Sequence, residues 1–100
     1  MMYRVYYMKP EWFREFSLGT TLPARDRLAE THTFVRDVEA RDLDEVYHRS
    51  QAEIWSPNGE ASDLIRVKGL RRTSMGVGDV IEDPQGTFWA VASVGFAPLG

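Results

Sequence analysis

Leu70-Arg71-Arg72-Thr73-Ser74-Met75-Gly76-Val77-Gly78-Asp79-Val80 is where the chain stops alternating and does something specific. Two arginines run into two hydroxyls, then into a glycine-flanked segment ending at Asp79, and an apolar strand begins at Val80. Every residue type there has a backbone role: Gly76 and Gly78 admit positive φ, Thr73 and Ser74 bond nearby amides, and Asp79 accepts from the amides of a tight turn. On that reading the stretch is a rigid corner that sets up the final hairpin. It admits a second reading as an anion site, because successive amides form a concave nest with Arg71 and Arg72 beside it.

Outward from this corner, Val80-Ile81-Glu82 and Thr87–Phe96 read as a closing pair of strands joined by the turn Asp83-Pro84-Gln85-Gly86. Small residues at Ala90, Ala92 and Ser93 predict close approach of a helix. On the other side, Asp63–Gly69 reads as a strand, with Ile65 and Val67 on one face and Leu64, Arg66 and Lys68 on the other. Before it, Ser56-Pro57-Asn58-Gly59 is a turn: proline presets one dihedral and Asn-Gly tolerates positive φ. Asp42-Leu43-Asp44-Glu45 carries the signature of a capping box, predicting a helix from Leu43 to about Glu53 with acid at its positive end.

Toward the amino terminus, Met1–Met8 alternates and is rich in Tyr and Val, which predicts a strand with both faces largely buried. Pro10 ends it. Trp12, Phe13 and Phe16 then share a face of one helical turn. Ser17–Glu30 is the longest irregular stretch, with room for a short helix near its end, and Thr31–Ala40 reads as a second strand with one acidic face. Together these elements predict a single α+β domain over residues 1–100. Its sheet is about five-stranded and mainly antiparallel, with one main helix packed on a face.

Composition narrows the chemistry. One hundred residues that are 43% hydrophobic and 27% charged describe a folded chain long enough for one core. With no cysteine, disulfides, thiolate metal sites and cysteine nucleophiles are excluded. No apolar run approaches the roughly 18 residues of a membrane span, so a cytoplasmic protein without a membrane partner is expected. Four basic residues and no acid between Leu64 and Gly78 make that window +4 in a chain of net charge −3. A cationic ridge on an acidic body follows.

Ser74 with Asp79 and one of the two histidines, His32 and His48, is the best available catalytic set, and no spacing places a histidine beside the serine. The carboxylates Asp42, Asp44 and Glu45 are accounted for by helix capping. No catalytic, cofactor or metal residue is therefore assigned. The candidates for binding a partner or an anion are the basic side chains Arg66, Lys68, Arg71 and Arg72, the hydroxyls Thr73 and Ser74, and the tryptophans Trp55 and Trp12. A protein partner is the leading expectation and nucleic acid, held by the basic 66–72 ridge, the alternative.

Lys68-Gly69-Leu70, Thr73-Ser74-Met75, Val77-Gly78-Asp79-Val80 and Gly95-Phe96 also carry a resemblance. The chain resembles a group of small uncharacterised phage, plasmid and prokaryotic proteins that share the signature Lys-Gly-Leu-X-His-Thr-Ser-Met-Ser-Val-Gly-Asp-Val, followed by a hairpin ending in Gly-Phe. Gln51, Glu53, Trp55-Ser56-Pro57 and Asn58-Gly59-Glu60 fit the same pattern. It departs at Arg72, where the signature has His, and at Gly76, where it has Ser. The resemblance implies an accessory role of mobile elements: binding a host defence protein, modulating replication, or inhibition of the anti-CRISPR kind. In the last case the acids Asp37, Glu39, Asp42, Asp44 and Glu45 would compete with nucleic acid for a basic groove.

Overall fold

Strand β1 (Met2–Met8) is the centre of the sheet and shows why its alternation matters. Tyr3, Val5 and Tyr7 are buried in one row, whereas Met2 and Arg4 on the opposite face are exposed. The expectation of two buried faces therefore holds only near Met8. β1 pairs antiparallel with β2 (His32–Glu39) on one side and with β3 (Val80–Glu82) on the other. The sheet continues through β4 (Phe88–Val91) to β5 (Phe96–Pro98), giving the antiparallel order β2-β1-β3-β4-β5 in a computed structural model that describes residues 1–100.

A bulge resets the second strand. Val5 faces Arg36 but Tyr6 faces Phe34, so Val35 is the extra residue. Strict alternation places Val35 and Val38 on opposite faces; the bulge brings both into one core, with Tyr3, Val5, Tyr7, Ile81 and Val91. The long final strand predicted over Thr87–Phe96 is instead two strands, β4 and β5. The chain reverses through Ser93 to Gly95, where Ala92 N–H donates to the Gly95 carbonyl.

Three short helices cover this face. α3 (Leu43–Arg49) starts at Asp42, whose side chain accepts from the Glu45 amide at 2.8 Å, while Glu45 reaches back one residue further than a capping box requires, to Arg41 N–H at 2.9 Å. α3 ends sooner than predicted, at buried Ser50, and α4 (Ala52–Trp55) begins after the break. The interruption has a tertiary cause: the Ser50 carbonyl accepts from the Met75 amide, and the Ser74 hydroxyl accepts from Ala52 N–H at 2.8 Å. Two backbone groups at the break are thus satisfied by the loop.

The strand predicted at Asp63–Gly69 is a helix, α5 (Ser62–Val67). Ala61 and Ile65, four apart, are buried, while Leu64 and Val67 face outward, so the apparent two-residue alternation was a coincidence of composition. Gly69 sets its end. At φ +73° it lets Leu70 N–H reach the Ile65 carbonyl and its own N–H reach the Arg66 carbonyl, with Leu70 and Ile65 sharing the core.

The opposite face carries a smaller cluster of Leu28, Val80, Ala90 and Leu99, covered by α2 (Leu28–Thr31) and the 3-10 turn Arg25–Arg27 before it. Ala90 thus admits the short α2 segment where a close approach by the main helix was predicted. α1 (Phe13–Phe16), preceded by the 3-10 turn Pro10–Trp12, follows β1 directly. Phe16 is buried and Trp12 half-buried, but Phe13 turns away from them and is exposed.

Candidate functional site

The loop from Leu70 to Asp79 binds an anion, and the anion is its own. The Asp79 carboxylate is fully buried and accepts from Met8 N–H at 2.9 Å and Gly76 N–H at 2.8 Å. The Arg72 guanidinium holds it with Nη2 at 3.3 Å and 3.2 Å from its two oxygens. Burial raises the Asp79 pKa to about 6 against the opposing pull of Arg72 and the two amides. The nest of successive loop amides read from the sequence is not what holds this carboxylate: one amide comes from the loop at Gly76, the other from β1 at Met8, and Arg72 is the one arginine of the pair that bonds to it.

Other groups of the stretch are tied down in the same way. The Thr73 carbonyl accepts from Tyr7 O–H at 2.6 Å and from Trp55 Nε1 at 3.1 Å, and Gln51 Nε2 bridges the Tyr47 and Met75 carbonyls. Burial, with the nearby Asp79 charge adding to it, raises the Tyr7 pKa, so its phenol is a fixed donor. Gly78, at φ +97°, packs so tightly that an added Cβ would lie 2.9 Å from Phe16 Cβ. Its carbonyl receives His32 Nε2 at 2.7 Å.

That contact fixes the state of the buried histidine. A carbonyl only accepts, so Nε2 carries the proton and Nδ1 accepts from the Thr31 hydroxyl at 2.7 Å. Burial, against the Gly78 hydrogen bond, lowers its pKa and keeps it neutral. Neither histidine hydrogen-bonds to Ser74, whose hydroxyl is engaged with Ala52; His48 is exposed on α3. No group of three His, Asp or Glu side chains is placed to hold a metal ion.

The candidate binding residues do not form one surface. Arg66 pairs with Asp63 at 2.9 Å, Lys68 lies over the Phe34 ring, and Arg72 holds Asp79. Trp55 is half-buried under the Arg36 guanidinium, which lies 4.1 Å from its ring centroid, and Trp12 stacks on Phe16. Four of the five acids are locally engaged too: Asp37 faces Arg4, Glu39 pairs with the amino terminus, and Asp42 and Glu45 cap α3, while Asp44 is exposed without an ion pair.

Arg71 is the exception. It is exposed and has no carboxylate within 4 Å, and together with Arg72 it walls a cleft of about 310 Å³ whose apolar side is Pro10, Phe13 and Leu70. Tyr7 and Met8, at the end of β1, complete it. Arg72 also lies over the Phe13 ring, 5.5 Å from its centroid. Nothing in the sequence pattern marks Phe13 or Pro10 as partners of Arg71, because helical spacing assigns Phe13 to the same face as Phe16.

Fold and cleft together define a class: an antiparallel α+β protein with an apolar recess flanked by arginines. Comparison goes no further, since no family model, curated protein or solved structure matches the chain. No helix is long and apolar enough to cross a membrane.

Proposed function

We propose that the protein is a small non-catalytic binding module that recognises another protein by shape and charge, in the accessory role that the phage and plasmid resemblance implies. The observation that carries this reading is the inward engagement of the loop. The carboxylate of Asp79, the hydroxyl of Ser74 and the carbonyls of Thr73 and Gly78 are all held by neighbouring elements, and the loop presents outward its shape, the Arg71 charge and the half-buried Thr73 hydroxyl. Polar groups satisfied in this way hold the surface around them rigid.

Nucleic-acid binding is the weaker reading because two of the four cations in the 66–72 ridge, Arg66 and Arg72, are paired with carboxylates of the chain, and Lys68 lies over the Phe34 ring. A polyanion is held by several free cations acting together. The experiment is affinity capture from cells of the source organism, with cross-linking and mass spectrometry, run beside an electrophoretic shift with mixed DNA and RNA at low salt. Saturable capture of a defined protein, with no shift, is expected. A shift that weakens steeply with salt and vanishes in Arg71→Glu/Arg72→Glu, with no protein captured, would overturn the reading.

A further inference from the structure

The cleft beside the loop has walls of two kinds, and their chemistry says what fits. Phe13 is a large aromatic left 47% exposed, although Phe16, one turn further along α1, is buried. An apolar ring open to water beside a second apolar wall, Leu70 and Pro10, favours an occupant that covers it. No carboxylate lines the recess. Asp79 lies beneath Arg72 and balances its charge, so the surplus in the cleft is the single charge of Arg71.

Resting on the protein-binding reading above, we propose that this cleft takes a short acidic segment of the partner protein, with a large apolar side chain against Phe13 and Leu70 and an adjacent carboxylate on Arg71. Charge complementarity commits the occupant: one unpaired guanidinium suits one carboxylate, with the planar two-point hydrogen bonding that arginine offers. Size agrees. About 310 Å³ lies at the bottom of the range of about 300–1,000 Å³ for small-molecule sites, room for neighbouring side chains of a peptide. Arg66 and Lys68 do not line the recess, so a nucleic-acid backbone with its regularly spaced phosphates finds no second free cation there.

The test uses the full chain and four fluorescent probes: short peptides of equal length bearing Phe-Glu, Phe-Lys or Ser-Glu at their centre, and a mixed-sequence single-stranded oligonucleotide. Binding is read by anisotropy and by amide chemical shifts. Only the Phe-Glu peptide is expected to saturate, moving amides at Phe13 and at residues 70–72. Arg71→Glu and Phe13→Ser each weaken it by about tenfold or more, as anchor residues do. Both positions are exposed, so unchanged melting temperatures separate lost binding from lost folding.

Equal binding of the Ser-Glu peptide or the oligonucleotide would overturn the proposal, as would no binding of the Phe-Glu peptide or full affinity in both variants. A partner captured equally well by wild type and both variants would overturn the cleft assignment while leaving the binding-module reading standing. Capture lost in both variants supports the two together.

Discussion

At the scale of residues, Arg71 and Arg72 are neighbours in sequence with opposite duties. Arg72 is about one-third exposed and holds a fully buried carboxylate; Arg71 is exposed and unpaired. Removing one member of a buried pair leaves the other uncompensated, at roughly 3–5 kcal/mol when both are dry, and the exposure of Arg72 reduces this. Arg72→Met is therefore expected to cost about 2 kcal/mol in urea unfolding, and Arg71→Met less than about 0.5. Equal costs would mean that Asp79 is held by Met8 and Gly76 alone. The same guanidinium bears on the resemblance proposed from the sequence: the two positions at which the chain would depart from that signature lie against each other. A Cβ on Gly76 would lie 2.8 Å from Arg72 Nη1. Gly76→Ser should displace the guanidinium and cost about 1 kcal/mol beside Arg72, yet close to nothing beside Arg72→His, where that atom is gone. A double-mutant cycle measures the coupling, and additive costs would show the two departures to be independent.

At the scale of elements, two glycines end or turn the chain for different reasons. Gly69 closes α5 with positive φ and open space around its Cβ position, whereas Gly78 combines positive φ with a wall formed by Phe16 and Met8. Gly69→Ala thus carries only the left-handed backbone penalty, about 1 kcal/mol. Gly78→Ala adds a clash and is expected to cost at least about 3, read as a shift in urea midpoint at constant slope. The same elements show what sequence reading can reach. The start of α3 was legible because a cap is local: Asp42 and Glu45 satisfy amides within one turn. The alternation of Tyr3, Val5 and Tyr7 was legible because one face of β1 meets the core. α5 was misread because Leu64 to Lys68 has strand parity, and the deciding signal lay in Gly69-Leu70 with Ile65 behind it, a helix end in place of a strand end. The break at Ser50 was not legible at all, since its cause is the Ser74 and Met75 contact made across the fold. The cleft was half legible: Arg71 and Arg72 stood out as cations, but their apolar partner Phe13 comes from the other half of the chain.

At the scale of the whole molecule, the loop ties β1, β2, β4 and the α3–α4 break together, so Asp79 within it and His32 of β2 bonded to it connect global stability to pH. Asp79 has its folded pKa raised from 3.8 to about 6 by burial. Between those values the folded chain binds more protons than the unfolded one, so this contribution to stability is complete below about pH 4 and is lost as pH rises through 6. At 1.36 kcal/mol per unit the swing is about 3 kcal/mol. His32 acts in the opposite sense. Its folded pKa lies below the ordinary 6.5, so the unfolded chain takes up the proton first and stability rises as pH climbs toward and through 6.5. The two terms partly cancel in the wild type, which hides each of them in a single stability curve. Comparison with Asp79→Asn separates them, because His32 is present in both proteins and drops out of the difference. The variant loses the ion pair with Arg72 and the pH dependence of residue 79 together. The stability advantage of wild type over Asp79→Asn should therefore be largest near pH 4 and shrink by about 3 kcal/mol toward pH 7, measured by urea unfolding at each pH. An advantage that grows with pH would mean that Arg72 and the Met8 and Gly76 amides favour the ionised carboxylate more strongly than burial disfavours it, and the loop would then be held chiefly by charge.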